Sequence, residues 1–195
     1  MWVKICGITN LDDALCAIES GADALGFVFY PKSPRYISPQ NAQKIAQLLP
    51  LHVKKIGLFV EVTPDEINLT CKLANMDMAQ LHFEVDDAFL EVLKVPYLRV
   101  VRAKEKVDVQ KYSHSLRLVD AFVDSFGGEG KRVDLSWFAK SDNENIILAG
   151  GLSPDNIEAI RPLGFYGVDV SSGVEKSKGI KDHDKIKSFI QKAKV

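Results

Sequence analysis

A cysteine beside a glycine, where an apolar run stops, is the first group in this chain with a chemical use. In VKICGIT (3–9) the run of Val3 and Ile5 ends at Cys6-Gly7, and a helical pattern follows within a few residues. A free cysteine can be a small core hydrophobe. It can also line a site, beside a glycine that lets the backbone turn sharply or another group come close. A carboxylate stands in a comparable place, because Asp124-Ser125 follows the apolar stretch of Leu118, Val119, Ala121, Phe122 and Val123. Arg35 lies in YPKSPRYIS (30–38), among Pro31, Pro34 and Tyr36. Its planar fork suits a carboxylate bidentately. QLHF (80–83) brings Gln80 and His82 to another strand end, although His82 taken alone reads as a structural histidine. Each of these residues has a bland reading by itself: a surface arginine, a turn aspartate, a packed thiol.

Two glycine-bearing turns near the C-terminus point to an anion. LAGGLSPDN (148–156) carries Gly150-Gly151 into a predicted helix, and DVSSGVE (169–175) carries Ser171, Ser172 and Gly173. Paired glycines present backbone N–H groups, serines add hydroxyl donors, and a helix N-terminus favours negative charge. A phosphate is the expected ligand. GGEGKR (127–132) imitates a nucleotide loop but lacks the G-x-x-x-x-G-K-[ST] spacing, so a lid over the site is the better expectation.

These groups need a scaffold that brings distant strand ends together. Eight short β-rich runs are predicted at 2–6, 24–29, 54–60, 78–81, 97–103, 118–124, 145–149 and 166–170. Helical patterns separate them at 10–21, 38–49, 63–75, 85–94, 134–141, 153–164 and 182–194, with 104–115 readable as helix or loop. Asn10, Thr63 and Ser153 are the expected caps, and Gly21 the expected end of the first helix. Strand and helix in alternation imply parallel strands with crossovers. Eight units favour a closed (β/α)₈ TIM barrel over a doubly wound open sheet, which leaves two edges to protect. Such barrels run about 250 residues, so 195 residues imply one domain over 1–195 with short loops. In a barrel, chemistry sits at the C-terminal strand ends and phosphate after strands seven and eight, where the two turns fall.

Composition narrows the classes. The net charge is −1 with no long basic or acidic run, which gives no electrostatic reason to expect nucleic acid or an anionic membrane. No apolar stretch nears 18 residues, so no membrane span or secretion signal is expected. Three cysteines without C-x-x-C or metal-ligand spacing suggest a reduced, cytoplasmic protein with no metal site, and Cys16 and Cys71 read as helix packing.

In order along nearly the whole chain, VKICGIT, GADALGFVF, SPRYIS, QLH, VDS, LAGGLSPDN and GVDVSSGVE followed by GIKD resemble the N-(5-phosphoribosyl)anthranilate isomerase family. The resemblance implies a (β/α)₈ barrel without cofactor. Its members turn phosphoribosylanthranilate into 1-(2-carboxyphenylamino)-1-deoxyribulose 5-phosphate by an Amadori rearrangement in tryptophan biosynthesis. It also implies Cys6 as general base, Asp124 as general acid and Arg35 against the anthranilate. Gln80 and His82 would line the substrate, while Gly150, Gly151, Ser171, Ser172 and Gly173 hold its phosphate. A monomer or homodimer acting on a small phosphosugar is expected. Two stretches depart from the family pattern: Phe83 stands where glycine is usual after QLH, and VDLSW (133–137) where Phe-Asp-Trp is usual.

The chemistry agrees with these groups. An aldose-to-ketose rearrangement delivers one proton to the ring oxygen and removes another from the adjacent carbon, work for an acid and a base. The isomerase of histidine biosynthesis is a rival that should carry aspartate at the end of strand one, where this chain has cysteine. A non-catalytic phosphosugar binder needs neither Cys6 nor Asp124.

Overall fold

A computed structural model describes residues 1–121, 133–138 and 143–195. Eight parallel strands close in sequence order: β1 (Trp2–Cys6), β2 (Ala24–Val28), β3 (Lys54–Phe59), β4 (Met78–Leu81), β5 (Tyr97–Ala103), β6 (Arg117–Ala121), β7 (Ile146–Leu148) and β8 (Gly167–Val170). The seam is made by β1 and β8, with Lys4 opposite Asp169 and Ile5 opposite Val170. The expected TIM barrel is therefore the observed fold. Its described elements run from Trp2 in β1 to Lys194 at the end of the last helix.

Side chains alternate across each strand, so every second residue points into the barrel. Trp2, Met78, Leu98, Val100, Leu116, Leu118, Ile147 and Ala149 form one apolar cluster from opposite sides of the ring, which places them inside. Two residues further along β1, β4 and β6 the inward positions turn polar, at Lys4, Gln80 and Asp120, and Asp169 joins them from β8. On β5 the step from Val100 leads to Arg102. The other phase packs outward against the helices: Val3, Ile5, Leu25 and Phe27 join the main core with Ile67, Ile186 and Phe189.

Among the described residues the outer layer holds longer helices on one side than on the other. Helix α1 (Leu11–Glu19) starts at Asn10, whose side chain accepts from the Asp13 amide, and the chain leaves it through Gly21 at φ +100°. Helices α2 (Pro39–Ala46) and α3 (Pro64–Ala74) follow, the latter with a reciprocal Thr63–Glu66 cap. The chain closes with α6 (His183–Lys194) packed on α1.

At 85–94 and 153–164 the sequence overstated the helices. The pattern at 85–94 gives only α4 (Asp87–Glu91). Residues 104–115 give a 3₁₀ turn at Lys106–Gln110, and within 134–141 another forms at Leu135–Trp137. The pattern at 153–164 gives α5 (Ile157–Ile160) and a 3₁₀ turn at Arg161–Leu163. Ser153 does not cap that helix. Its Oγ accepts from Asp155 N and Asn156 Nδ2, while Asn156 Nδ2 also donates to the Gly151 carbonyl, so the preceding turn is held and the helix starts late. A short antiparallel hairpin, β9 (Glu175–Ser177) with β10 (Ile180–Lys181), follows β8.

Candidate active site

Cys6 ends β1 with its side chain inside the barrel mouth. Its register partner on β2 is Gly26. A Cβ on Gly26 would lie 2.7 Å from Cys6 Sγ and 3.0 Å from Lys4 Cε, so the glycine makes room for both side chains. Gly7, at φ +77°, then turns the chain outward. A Cβ there would lie 2.7 Å from Arg35 Cδ and 3.1 Å from Ser171 Oγ. The glycine beside the thiol therefore serves a turn and a close approach at once, bringing the loops after β1, β2 and β8 together.

A charged layer lies beneath. Lys4, fully buried, donates to Asp169 Oδ2 at 2.8 Å. Burial lowers the Lys4 ammonium, but Asp169 and Cys6 more than offset this and hold it above the usual lysine value. Burial pushes the Cys6 thiol up, helped by the Asp169 carboxylate and opposed by the lowering fields of Lys4 and Lys181. Across the barrel stands Asp120, beside Arg102 in register on β5. Burial, reinforced by the Asp169 carboxylate, pushes Asp120 up to about 7. This second aspartate was missed in the sequence. The available signal was its phase: in RLVDA (117–121), Asp120 shares the inward face with Leu118. Asp124 and Ser125 lie outside the described residues, as does the glycine loop at 127–132.

Gln80 and His82 arrive from β4 and its end, both buried. Burial, with the Arg102 and Lys4 cations, drives His82 down to about 4, so its ring is neutral near pH 7. Gln80 Oε1 has no hydrogen-bond partner among the described residues, an acceptor held in the barrel interior. Phe83 turns to Phe89 edge-on at 5.6 Å.

Arg35 is also buried, and its fork is occupied. Nε and Nη2 each lie 2.8 Å from an oxygen of Glu175, a residue the sequence did not single out. A buried guanidinium needs such a partner. Lys181 donates to Glu175 Oε1 at 3.1 Å and to the Ser171 carbonyl at 3.2 Å, and its own amide reaches Asp13. The GIKD stretch thus ties the Arg35 loop to the turn after β8.

The two glycine-bearing turns stand side by side. Gly150 and Gly151 adopt φ +87° and +62° after β7. After β8, Ser171 leads into a 3₁₀ turn at Ser172–Val174. A Cβ on Gly173 would fall onto the Leu152 carbonyl oxygen, so the turns can meet only because that residue is glycine. The sequence pattern implied a long helix behind Gly151, but four-residue α5 offers little dipole, which leaves turn amides and hydroxyls as the anion donors. Among the described residues no cluster of three or more His, Cys, Asp or Glu could hold a metal, and no helix is long and apolar enough to cross a membrane.

This geometry has close relatives. The family model described as N-(5'phosphoribosyl)anthranilate (PRA) isomerase matches residues 3–192. An N-(5'-phosphoribosyl)anthranilate isomerase from a Nitratiruptor species is 58% identical over 194 residues, covering 100% of this chain and 99% of its own. The crystal structure of phosphoribosyl anthranilate isomerase from Thermotoga maritima matches with a TM-score of 0.91 at 40% identity, over 100% of this chain and 98% of that one. A structure of such an isomerase in complex with reduced 1-(o-carboxyphenylamino)-1-deoxyribulose 5-phosphate matches with a TM-score of 0.83 at 38% identity, with the same coverage.

Proposed function

The chain belongs to the N-(5'-phosphoribosyl)anthranilate isomerase family, and from that premise we propose how its residues divide the reaction. The activity is the isomerisation of N-(5'-phosphoribosyl)anthranilate to 1-(2-carboxyphenylamino)-1-deoxyribulose 5-phosphate in tryptophan biosynthesis. The hydrogen lost from one sugar carbon is regained elsewhere in the molecule, so the net change needs no outside oxidant or reductant. A monomer or homodimer acting in the cytoplasm suffices.

Asp124 is the general acid. Opening the ribose ring needs a proton on the ring oxygen, and a carboxyl group kept neutral by its surroundings can give one. Two features of the sequence support this residue: it is the aspartate of the VDS motif, and it has the even spacing from Leu118 that sets the inward phase of β6. The iminium formed on ring opening makes the C2′ proton acidic. Cys6, at the end of β1, removes it as a thiolate, giving an enol that tautomerises to the ketone. The turns at Gly150–Gly151 and Ser171–Gly173 hold the phosphate, and Arg35 faces the anthranilate carboxylate from the Glu175 side of the mouth. Gln80 and His82 line the space between, offering a carbonyl acceptor and a neutral ring.

The observation that carries this reading is the inward placement of Cys6 on the same barrel mouth as the two glycine-bearing turns. One observation favours a second reading of the acid. Asp120, four residues before Asp124, sits in surroundings that push it up to about 7, so it too keeps a proton near neutrality. Turnover, read as the change in anthranilate fluorescence when substrate becomes product, separates the two. Asp124→Asn should lose at least about 10² in kcat, the scale of a general acid, while Asp120→Asn retains most of its activity. The reverse pattern would give the role to Asp120. A wild type that converts no substrate would remove the function itself.

A further inference from the structure

Lys4 has no part in the reaction as divided above, yet it is fully buried within the barrel. It precedes Cys6 by two residues on β1 and shares its face. Gly26 leaves the space that Lys4 Cε and Cys6 Sγ occupy together. The ammonium is 2.8 Å from Asp169 Oδ2, and the Lys4 side chain and the Cys6 sulfur lie together over Gly26. Asp169 Oδ1 has no hydrogen-bond partner among the described residues. An ion pair serving stability alone needs no place beside the thiol, and buried pairs are weak stabilisers.

We propose that Lys4 is a positioning residue for Cys6: paired with Asp169, it turns its positive end to the sulfur and holds the thiolate that takes the substrate proton. This rests on the reading of Cys6 as the base. The charged and titratable groups facing the sulfur are Lys4 from β1, Asp169 from β8 and Lys181 from β10, while β2 contributes only Gly26. Asp120 from β6 and Arg102 from β5 stand across the barrel, with His82 beyond β4. Lys181 reaches out to Glu175 and Ser171, whereas Lys4 shares the space over Gly26 with the sulfur, so Lys4 is the cation placed most directly beside Cys6.

The need for such a device follows from proton counting. The working arrangement, a thiolate with a protonated aspartic acid, carries the same charge as a thiol with an ionised one. Changing the pH cannot choose between two forms that hold the same number of protons; only the local field can. Lys4 beside the sulfur favours the thiolate. Its partner Asp169 keeps negative charge within the barrel, where it already raises Asp120 and so opposes ionisation of carboxyl groups around it.

The test measures the thiol directly. Alkylation of Cys6 by iodoacetamide is followed from pH 6 to 10 by mass analysis of its peptide, beside kcat and KM, in wild type, Lys4→Met and Lys4→Arg. Thermal melts establish that each variant is folded. In Lys4→Met, alkylation at pH 8 and kcat should each fall about tenfold or more, with KM changed less than about threefold, because the charge that favours thiolate is gone. Lys4→Arg, which keeps the charge, should recover most of both. Lys4→Gln carries the same prediction as Lys4→Met and replaces it if that variant does not fold. An uncharged variant that alkylates as fast as wild type overturns the proposal. Normal turnover in Cys6→Ser would instead overturn the base assignment, and the alkylation result for Lys4 would stand apart from it.

Discussion

The guanidinium of Arg35 closes on Glu175 through Nε and Nη2, each 2.8 Å from a carboxylate oxygen, and the pair is almost shielded from solvent. With Nε and Nη2 on Glu175, Nη1 is the end left to meet a substrate carboxylate, on a guanidinium already held in place. An arginine already held in place spends less freedom on binding a carboxylate than a mobile one.

Arg35→Ala should weaken substrate binding by about 1.5–3 kcal/mol, the scale of a charge-assisted contact. Glu175→Gln should act on stability as well, because removing one partner of a buried pair costs on the order of 3–5 kcal/mol. Urea unfolding and KM, measured on both variants, separate the effects. An Arg35→Ala enzyme with unchanged KM and kcat would take Arg35 out of the site.

Gly173→Ala should abolish affinity for a simple sugar phosphate. The added carbon falls onto the Leu152 carbonyl and drives the two turns apart. Titration calorimetry with ribose 5-phosphate reads the loss, and circular dichroism should show the barrel retained. Normal binding by this variant would place the phosphate elsewhere.

Stability should depend on pH in two opposing ways. Asp120 is raised from 3.8 to about 7 in the folded chain. Between those values the folded state holds more protons than the unfolded one, so this residue's stability contribution is present in acid and lost as pH climbs toward 7. His82 is lowered from 6.5 to about 4, so its contribution is lost as pH falls through that range. Asp120→Asn should therefore be more stable than wild type at pH 8, and below about pH 6.5, the ordinary histidine value, it should show a steeper loss toward acid. Denaturant midpoints taken in mild acid, near neutrality and in mild base check both signs. A less stable Asp120→Asn at pH 8 would mean that Asp120 is not held in a proton-retaining environment.

Much of this was readable in the chain. The eight β-branched runs are short and bounded, and their alternation with amphipathic stretches left one economical closure. Helices with strong caps, such as α1 behind Asn10 and α3 behind Thr63, stand where their caps put them. At 85–94 apolar spacing overstated the helix, and at 153–164 the expected cap, Ser153, misled. At 153–164 a network of Ser153, Asn156 and Gly151 holds the turn instead, and Pro162 sits in the 3₁₀ turn that follows. Cys6 and the two glycine-bearing turns were visible because a glycine stands close to each strand end. Asp120 was not, since it lies within a strand and shows its surroundings only once the inward phase is fixed by Leu118. Glu175 and Lys4 were hidden for a further reason: their partners, Arg35 and Asp169, are 140 and 165 residues away.

The division of proton work is tested most directly by single-turnover kinetics with substrate carrying deuterium at C2′, in wild type and in Cys6→Ser. Wild type should show a primary isotope effect on conversion of substrate to product. Cys6→Ser should be slower by about 10² or more, because a hydroxyl is a far poorer base near neutrality. A Cys6→Ser enzyme that forms product at a near-normal rate, with the isotope effect intact, would contradict the assignment of Cys6 as the base.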